Sequence, residues 1–267
     1  MNTFSLIKNI YLLSAIMVAN VEAGPLSKLY ITDANNNRVD VVQGDTIVSS
    51  FNTIIAPSFS ILPGPIAVTH TIMTINYNNG PGAEYTLNGV ATGVVYNTPN
   101  GPNVYTDDGT TDGRHIYTVN RDTGAVYQME MNWTNQQTLF TTQASDSGIT
   151  YDPSNVSLWL SNTGTGKVVN YALNGTKLSE FNTGLLGLVS TALDPLDNTL
   201  WFTVWDGTGK LKQYSKAGAL LATVTIPNLS GWNLGMEAQT SIPEPGSLGL
   251  LATGLALLGY GRRREKS

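Results

Sequence analysis

Five short β-type segments recur along the chain at a nearly constant interval: Leu29-Tyr30-Ile31, Ile72-Met73-Thr74, Ile116-Tyr117-Thr118, Leu158-Trp159-Leu160 and Leu200-Trp201-Phe202. Their central residues lie 43, 44, 42 and 42 positions apart, too regular for chance. After each comes a turn rich in Gly, Asn or Asp and then a second strand, as in Lys167-Val168-Val169-Asn170-Tyr171 and Lys210-Leu211-Lys212-Gln213-Tyr214. The pairs Asn174-Gly175 and Ala217-Gly218 then introduce Lys177-Leu178-Ser179-Glu180-Phe181 and Ala219-Leu220-Leu221-Ala222-Thr223, which read as further short strands. Ahead of the two Trp segments stand Gly148-Ile149-Thr150-Tyr151-Asp152-Pro153 and Ser190-Thr191-Ala192-Leu193-Asp194-Pro195. Each is a strand stopped by Asp-Pro, because proline removes a backbone donor and suits a turn. Four antiparallel strands in a repeated unit of about 40 residues are the signature of a β-propeller.

Five such units predict an all-β ring of five four-stranded blades over residues 24–242, and no long amphipathic helix competes with it. Nothing strand-like lies between Gly24 and Lys28, so the first repeat opens at its second strand. Asn233-Leu234-Gly235-Met236-Glu237-Ala238 is expected to supply the missing one, pairing the two ends of the body and removing exposed edges. A six-bladed ring is the alternative, with a degenerate extra blade between Ile54 and Asn100.

Composition excludes several kinds of chemistry. The 267 residues include no cysteine, so there is no disulfide framework, thiolate nucleophile or Cys-ligated metal. Two histidines, His70 and His115, do not make a three-histidine metal site. A formal net charge of −5 argues against a phosphate-binding surface, and nucleic acid is not an expected partner.

Both ends read as addresses. Met1 to Ala23 carries Lys8, an apolar stretch from Ile10 to Ala19, and Val21-Glu22-Ala23 ahead of Gly24. This is the pattern of a secretory signal peptide cleaved after Ala23; a buried N-terminal helix is the other reading. In residues 243–267, Pro243-Glu244-Pro245 precedes an uncharged run from Ser247 to Gly261 and then Arg262, Arg263 and Arg264. About 15 apolar residues fall short of the roughly 20 that a spanning helix needs, and the arginines favour a cytoplasmic C-terminus. The order of Pro-Glu-Pro, a short apolar helix and an arginine cluster resembles the PEP-CTERM sorting signal of Gram-negative, exopolysaccharide-producing bacteria. The resemblance implies recognition and cleavage by an exosortase after export through signal peptidase, with brief anchoring by the C-terminal transmembrane helix. The body would then reside at the cell surface or in the extracellular matrix. Removing both ends takes away five basic and three acidic residues, which leaves the body more acidic than the whole chain.

Within the body, Asp33-Ala34-Asn35-Asn36-Asn37-Arg38-Val39 after Leu29-Tyr30-Ile31-Thr32 resembles the NHL repeat, in which Asp and Arg brace a turn between strands. Trp159 and Trp201, with the Asp-Pro turns before them, are similar to the broader NHL and gluconolactonase-like propellers, a likeness that speaks to fold and not to activity. The gluconolactonase-like resemblance also implies a channel cation held by Glu, Asn and Asp. Glu84, Asn120, Asn162 and Asp206 are candidates of those types, although nothing in the sequence makes them converge. Asp107, Asp108 and Asp112, interleaved with glycines, are candidate calcium ligands in an oxygen-rich loop; the alternative is a solvated or hydrogen-bonded turn. No serine elbow or Ser-His-Asp order appears, so no catalytic residue is expected, and no cofactor beyond the calcium alternative. Trp133 and Trp205 stand beside Asn, Thr, Asp and Gly in loop-like contexts and are candidates for stacking on sugar rings, with His115 a third binding candidate. Two functions follow: a binding or structural module associated with exopolysaccharide, or a metal-dependent hydrolase of lactonase or esterase type.

Overall fold

The computed structural model describes residues 24–56, 59–77, 80–97 and 105–239. Five four-stranded antiparallel sheets follow one another around a ring. Blade 1 contains β1 (Leu29–Asp33), β2 (Arg38–Gln43) and β3 (Thr46–Asn52). A two-stranded hairpin, β4 (Ile54–Ala56) and β5 (Phe59–Ser60), follows it. Blade 2 is β6 (Pro63–Val68), β7 (Thr71–Asn76), β8 (Gly82–Thr86) and β9 (Ala91–Tyr96). Blade 3 is β10 (Thr106–Thr111), β11 (His115–Asn120), β12 (Ala125–Glu130) and β13 (Gln137–Thr141). Blade 4 is β14 (Asp146–Asp152), β15 (Ser157–Asn162), β16 (Lys167–Ala172) and β17 (Lys177–Asn182). Blade 5 is β18 (Leu188–Asp194), β19 (Thr199–Val204), β20 (Lys210–Tyr214) and β21 (Leu220–Thr225). The last strand, β22 (Asn233–Ala238), joins blade 1 as its innermost member.

The ring closes as the repeat phase requires. β22 pairs antiparallel with β1, placing Leu29 opposite Ala238, Tyr30 opposite Glu237 and Ile31 opposite Met236. Asp194 at the end of β18 grips the start of the body from blade 5: its carboxylate accepts the N–H groups of Leu26 at 2.8 Å and Ser27 at 3.0 Å, and the Ser27 hydroxyl. The region weighed as a sixth blade holds blade 2 and the small hairpin.

Neighbouring blades lock through one repeated contact. A phenylalanine on an outer strand packs on a tyrosine of the next blade: Phe51 on Tyr85, Phe140 on Tyr171 and Phe181 on Tyr214, with ring centroids 5.1, 5.5 and 5.9 Å apart. Four residues after each tyrosine comes a turn glycine with positive φ: Gly89 at +82°, Gly175 at +82° and Gly218 at +86°. A Cβ on any of them would meet the same phenylalanine at 2.4–2.7 Å. Glycine is therefore required twice over, for the left-handed backbone and for the approach of the neighbouring ring.

Strand alternation sorts the connections to two ends of the ring. The turn after the second strand of each blade and the crossing to the next blade share one end, termed upper here. Turns between first and second strands, and between third and fourth, share the lower end.

Candidate functional site

The innermost strands are buried along their length except at Tyr151 of β14, and in blade 3 this holds even for the polar run Thr106 to Thr111. Asp108 explains how. Its Oδ1 accepts the N–H groups of Gly109 and Met236, both at 2.9 Å, and its Oδ2 those of Ile149 at 3.0 Å and Thr191 at 2.8 Å. One carboxylate thus ties blades 1, 3, 4 and 5 at the axis. Burial pushes its carboxyl well up, and the four donors work against that. Glu237 on β22 is also fully buried, receives the Thr110 hydroxyl, and has an Oε2 without a partner. Burial first, and then the Asp108 charge, push its carboxyl well above the usual glutamate range. Two carboxylates in so dry a place do not both ionise readily. Asp108, with four donors, suits the charge; Glu237, with an orphan oxygen, suits the proton.

The three candidate calcium ligands are held by different partners. Asp107 is paired with Arg121 at 2.9 Å and accepts the Ser147 hydroxyl at 2.7 Å. Burial raises its carboxyl and the Arg121 guanidinium opposes that. Asp112 belongs to the lower-end turn between β10 and β11. It accepts the N–H groups of Arg114 and His115, both at 2.7 Å, and the Tyr117 hydroxyl at 2.8 Å. Burial disfavours its charge, but these donors outweigh burial and hold its carboxyl below the usual range. Asp112 matches Asp152 and Asp194, which end the corresponding strands of blades 4 and 5. Asp152 accepts the Trp159 indole N–H at 3.0 Å and pairs with Lys216. Asp112 and Asp152 each accept a hydrogen bond from an aromatic residue that follows, Tyr117 five residues after Asp112 and Trp159 seven after Asp152. Among the described residues no group of three or more His, Asp or Glu side chains is placed to hold a metal ion.

The channel-cation candidates are likewise dispersed. Asn120 and Asn162 cap equivalent turns: Asn120 Oδ1 accepts the N–H groups of Asp122 and Thr123, and Asn162 Oδ1 those of Gly164 and Thr165. Asp33 does the same in blade 1, accepting the Asn36 N–H at 3.2 Å while Arg38 Nε lies 3.2 Å from its Oδ2. Glu84 sits on the third strand of blade 2 and accepts the Tyr96 hydroxyl at 2.8 Å. Asp206 lies on the upper rim.

The three binding candidates separate. His115 is at the lower end, its Nδ1 3.4 Å from Asp112. Trp133, in the lower turn after β12, is fully buried among Ala67, Met73, Ile75, Tyr96, Ile116 and Met129. Its ring is part of the core between blades 2 and 3 and offers no face to a ligand. Trp205 is at the upper end and 57% exposed. It borders an open cavity of about 700 Å³ together with Asn35, Asp206, Gly207, Gly231 and Trp232. Asp206 Oδ1 accepts the N–H and hydroxyl of Thr208. Its small burial penalty is outweighed by these bonds and by Lys210 and Lys212, which keep the carboxyl below its usual range. Trp232 lies edge-on to Tyr77, which neighbours Tyr105. The sequence does not single out Trp232, Tyr77 and Tyr105 as a group: ring closure by β22 brings Trp232 to Tyr77, and the junction of blades 2 and 3 brings Tyr77 to Tyr105.

Fold and site together define a closed five-bladed β-propeller with an aromatic cavity on its upper rim, between the connections of blades 5 and 1. Residues 241–264 match the PEP-CTERM protein-sorting motif. The chain is therefore an exported, exosortase-processed propeller. No curated protein matches it. Among solved structures, a chain of a nidogen/laminin complex matches with a TM-score of 0.53 and 12% identity, over 80% of this chain and 99% of that one. Virginiamycin B lyase from Staphylococcus aureus matches with a TM-score of 0.47 and 17% identity, over 75% of this chain and 67% of that one. At 12% identity the likeness to the nidogen/laminin chain is one of fold. Ala23, Pro243, Glu244, Pro245, Arg262, Arg263 and Arg264 lie outside the described residues, as do the leader and the apolar run before the arginines. Among the described residues no helix is long and apolar enough to cross a membrane.

Proposed function

We propose that this protein is a binding module of the extracellular polymer, holding glycan at the upper end of the propeller. Signal peptidase releases the body at Ala23, and exosortase acts at Pro243-Glu244-Pro245 to leave it at the cell surface or in the matrix of a Gram-negative bacterium. The observation that carries the reading is Trp205. An indole more than half exposed, beside a second tryptophan in an open cavity with an amide and a carboxylate, combines an apolar face with hydrogen-bonding groups. Sugar rings present the same combination.

Co-sedimentation of the full chain, kept in mild detergent, with native extracellular polymer tests this. Saturable binding that is lost in Trp205→Ala and kept in His115→Ala is expected. Binding that survives Trp205→Ala unchanged would place the ligand elsewhere.

A further inference from the structure

Resting on that reading, we infer that the ligand is an extended, uncharged polysaccharide chain that runs from the Trp205 cavity along a row formed by Trp232, Tyr77 and Tyr105. The four residues come from four separate upper connections: Trp205 from the turn after β19, Trp232 from the crossing into β22, Tyr77 from the turn after β7, and Tyr105 from the crossing into β10. Trp232 and Tyr77 have ring centroids 5.6 Å apart and planes at 70°; Tyr77 and Tyr105 are 6.5 Å apart at 35°. The planes turn from ring to ring, with Trp232 edge-on to Tyr77, which suits a twisted chain rather than a flat ledge.

The row is built on firm footing. Tyr77 and Trp232 pack against the buried Ala34, Val189 and Leu234. The Trp232 C=O accepts the Ala34 N–H at 3.2 Å, and the Tyr105 C=O accepts the Arg121 N–H at 3.1 Å. Rings held in this way lose little further freedom on binding, which favours stacking. The outer members are exposed, Trp205 at 57% and Tyr105 at 40%.

Charge selects within the class. The Arg121 guanidinium is paired with Asp107, and the charges of Lys210 and Lys212 act on the Asp206 carboxylate. The whole chain is acidic. A uronate chain meets an overall repulsion; an uncharged chain meets rings, an amide and backbone.

The test is isothermal titration of the full chain, in mild detergent, with β-1,4-linked glucose and N-acetylglucosamine oligomers from monosaccharide to hexasaccharide, and with alginate oligomers. Kd should fall about ten-fold or more between monosaccharide and tetrasaccharide. Tyr105→Ala should abolish that gain with length while leaving monosaccharide binding intact, Trp205→Ala should remove all binding, and alginate should not bind. Affinity independent of length, a length gain untouched by Tyr105→Ala, or equal affinity for alginate would overturn the inference while leaving glycan binding in place. Failure of every glycan, native polymer included, would overturn the proposed function with it.

Discussion

At the scale of single residues the axis is governed by two buried carboxyls with different hydrogen-bond supplies. Asp108 has four N–H donors, so Asp108→Asn turns an amide NH2 toward backbone donors. The expected cost is about 3–5 kcal/mol, that of breaking a buried charge arrangement, read by denaturant unfolding. Glu237 is the opposite case. Its raised carboxyl pKa means that the folded state holds a proton which the unfolded chain releases at the ordinary glutamate value. The stabilisation from keeping that proton is complete below the ordinary value and declines as pH rises toward the raised folded value. Glu237→Gln, which mimics the protonated form, should therefore be more stable than the native protein at neutral pH, with the gap widening toward alkaline pH. A melting-temperature profile across pH checks this; parallel profiles would contradict it.

At the scale of elements, the blade-to-blade contact rests on a glycine that faces a phenylalanine. Gly175→Ala combines a φ of +82° with a Cβ placed 2.7 Å from that of Phe140. The expected loss is about 1–3 kcal/mol, or about 2–4 °C of melting temperature per kcal/mol for a body of this size. The strands and their phase were legible in the sequence, because the Tyr30, Met73, Tyr117, Trp159 and Trp201 interval exposes the repeat, and its missing first strand points to residues 233–238. Which loops share an end was less legible. Trp133 and Trp205 stand in similar polar contexts, but Trp133 follows the third strand of its blade and Trp205 the second. That difference sends them to opposite ends, and Trp133 then falls over a gap in the core that its ring fills. Asp107, Asp108 and Asp112 part company in space for a related reason. Consecutive residues of a strand point to opposite faces, so closeness in sequence scatters these carboxylates among Arg121, the axis and the Tyr117 hydroxyl.

At the scale of the whole molecule, sorting and binding are separable. The last described strand ends at Ala238, before the sorting motif begins at residue 241. Replacing Pro243, Glu244 and Pro245 by alanine should leave the melting temperature unchanged while uncleaved precursor accumulates in the membrane fraction, as an immunoblot would show. Normal release would contradict exosortase recognition of those residues. The Trp232, Tyr77 and Tyr105 row could not be read from the chain because its members stand in three different connections, and Trp232 reaches Tyr77 only once β22 has closed the ring.

The most direct test of the account uses the five tryptophans as reporters on the two ends and the core. In an NMR titration of the full chain with a bound oligosaccharide, the indole N–H signals of Trp205 and Trp232 should shift together and saturably, while those of Trp133, Trp159 and Trp201 stay in place. Shifts confined to Trp133, or no shift at Trp205 at saturation, would contradict a glycan site at the upper end.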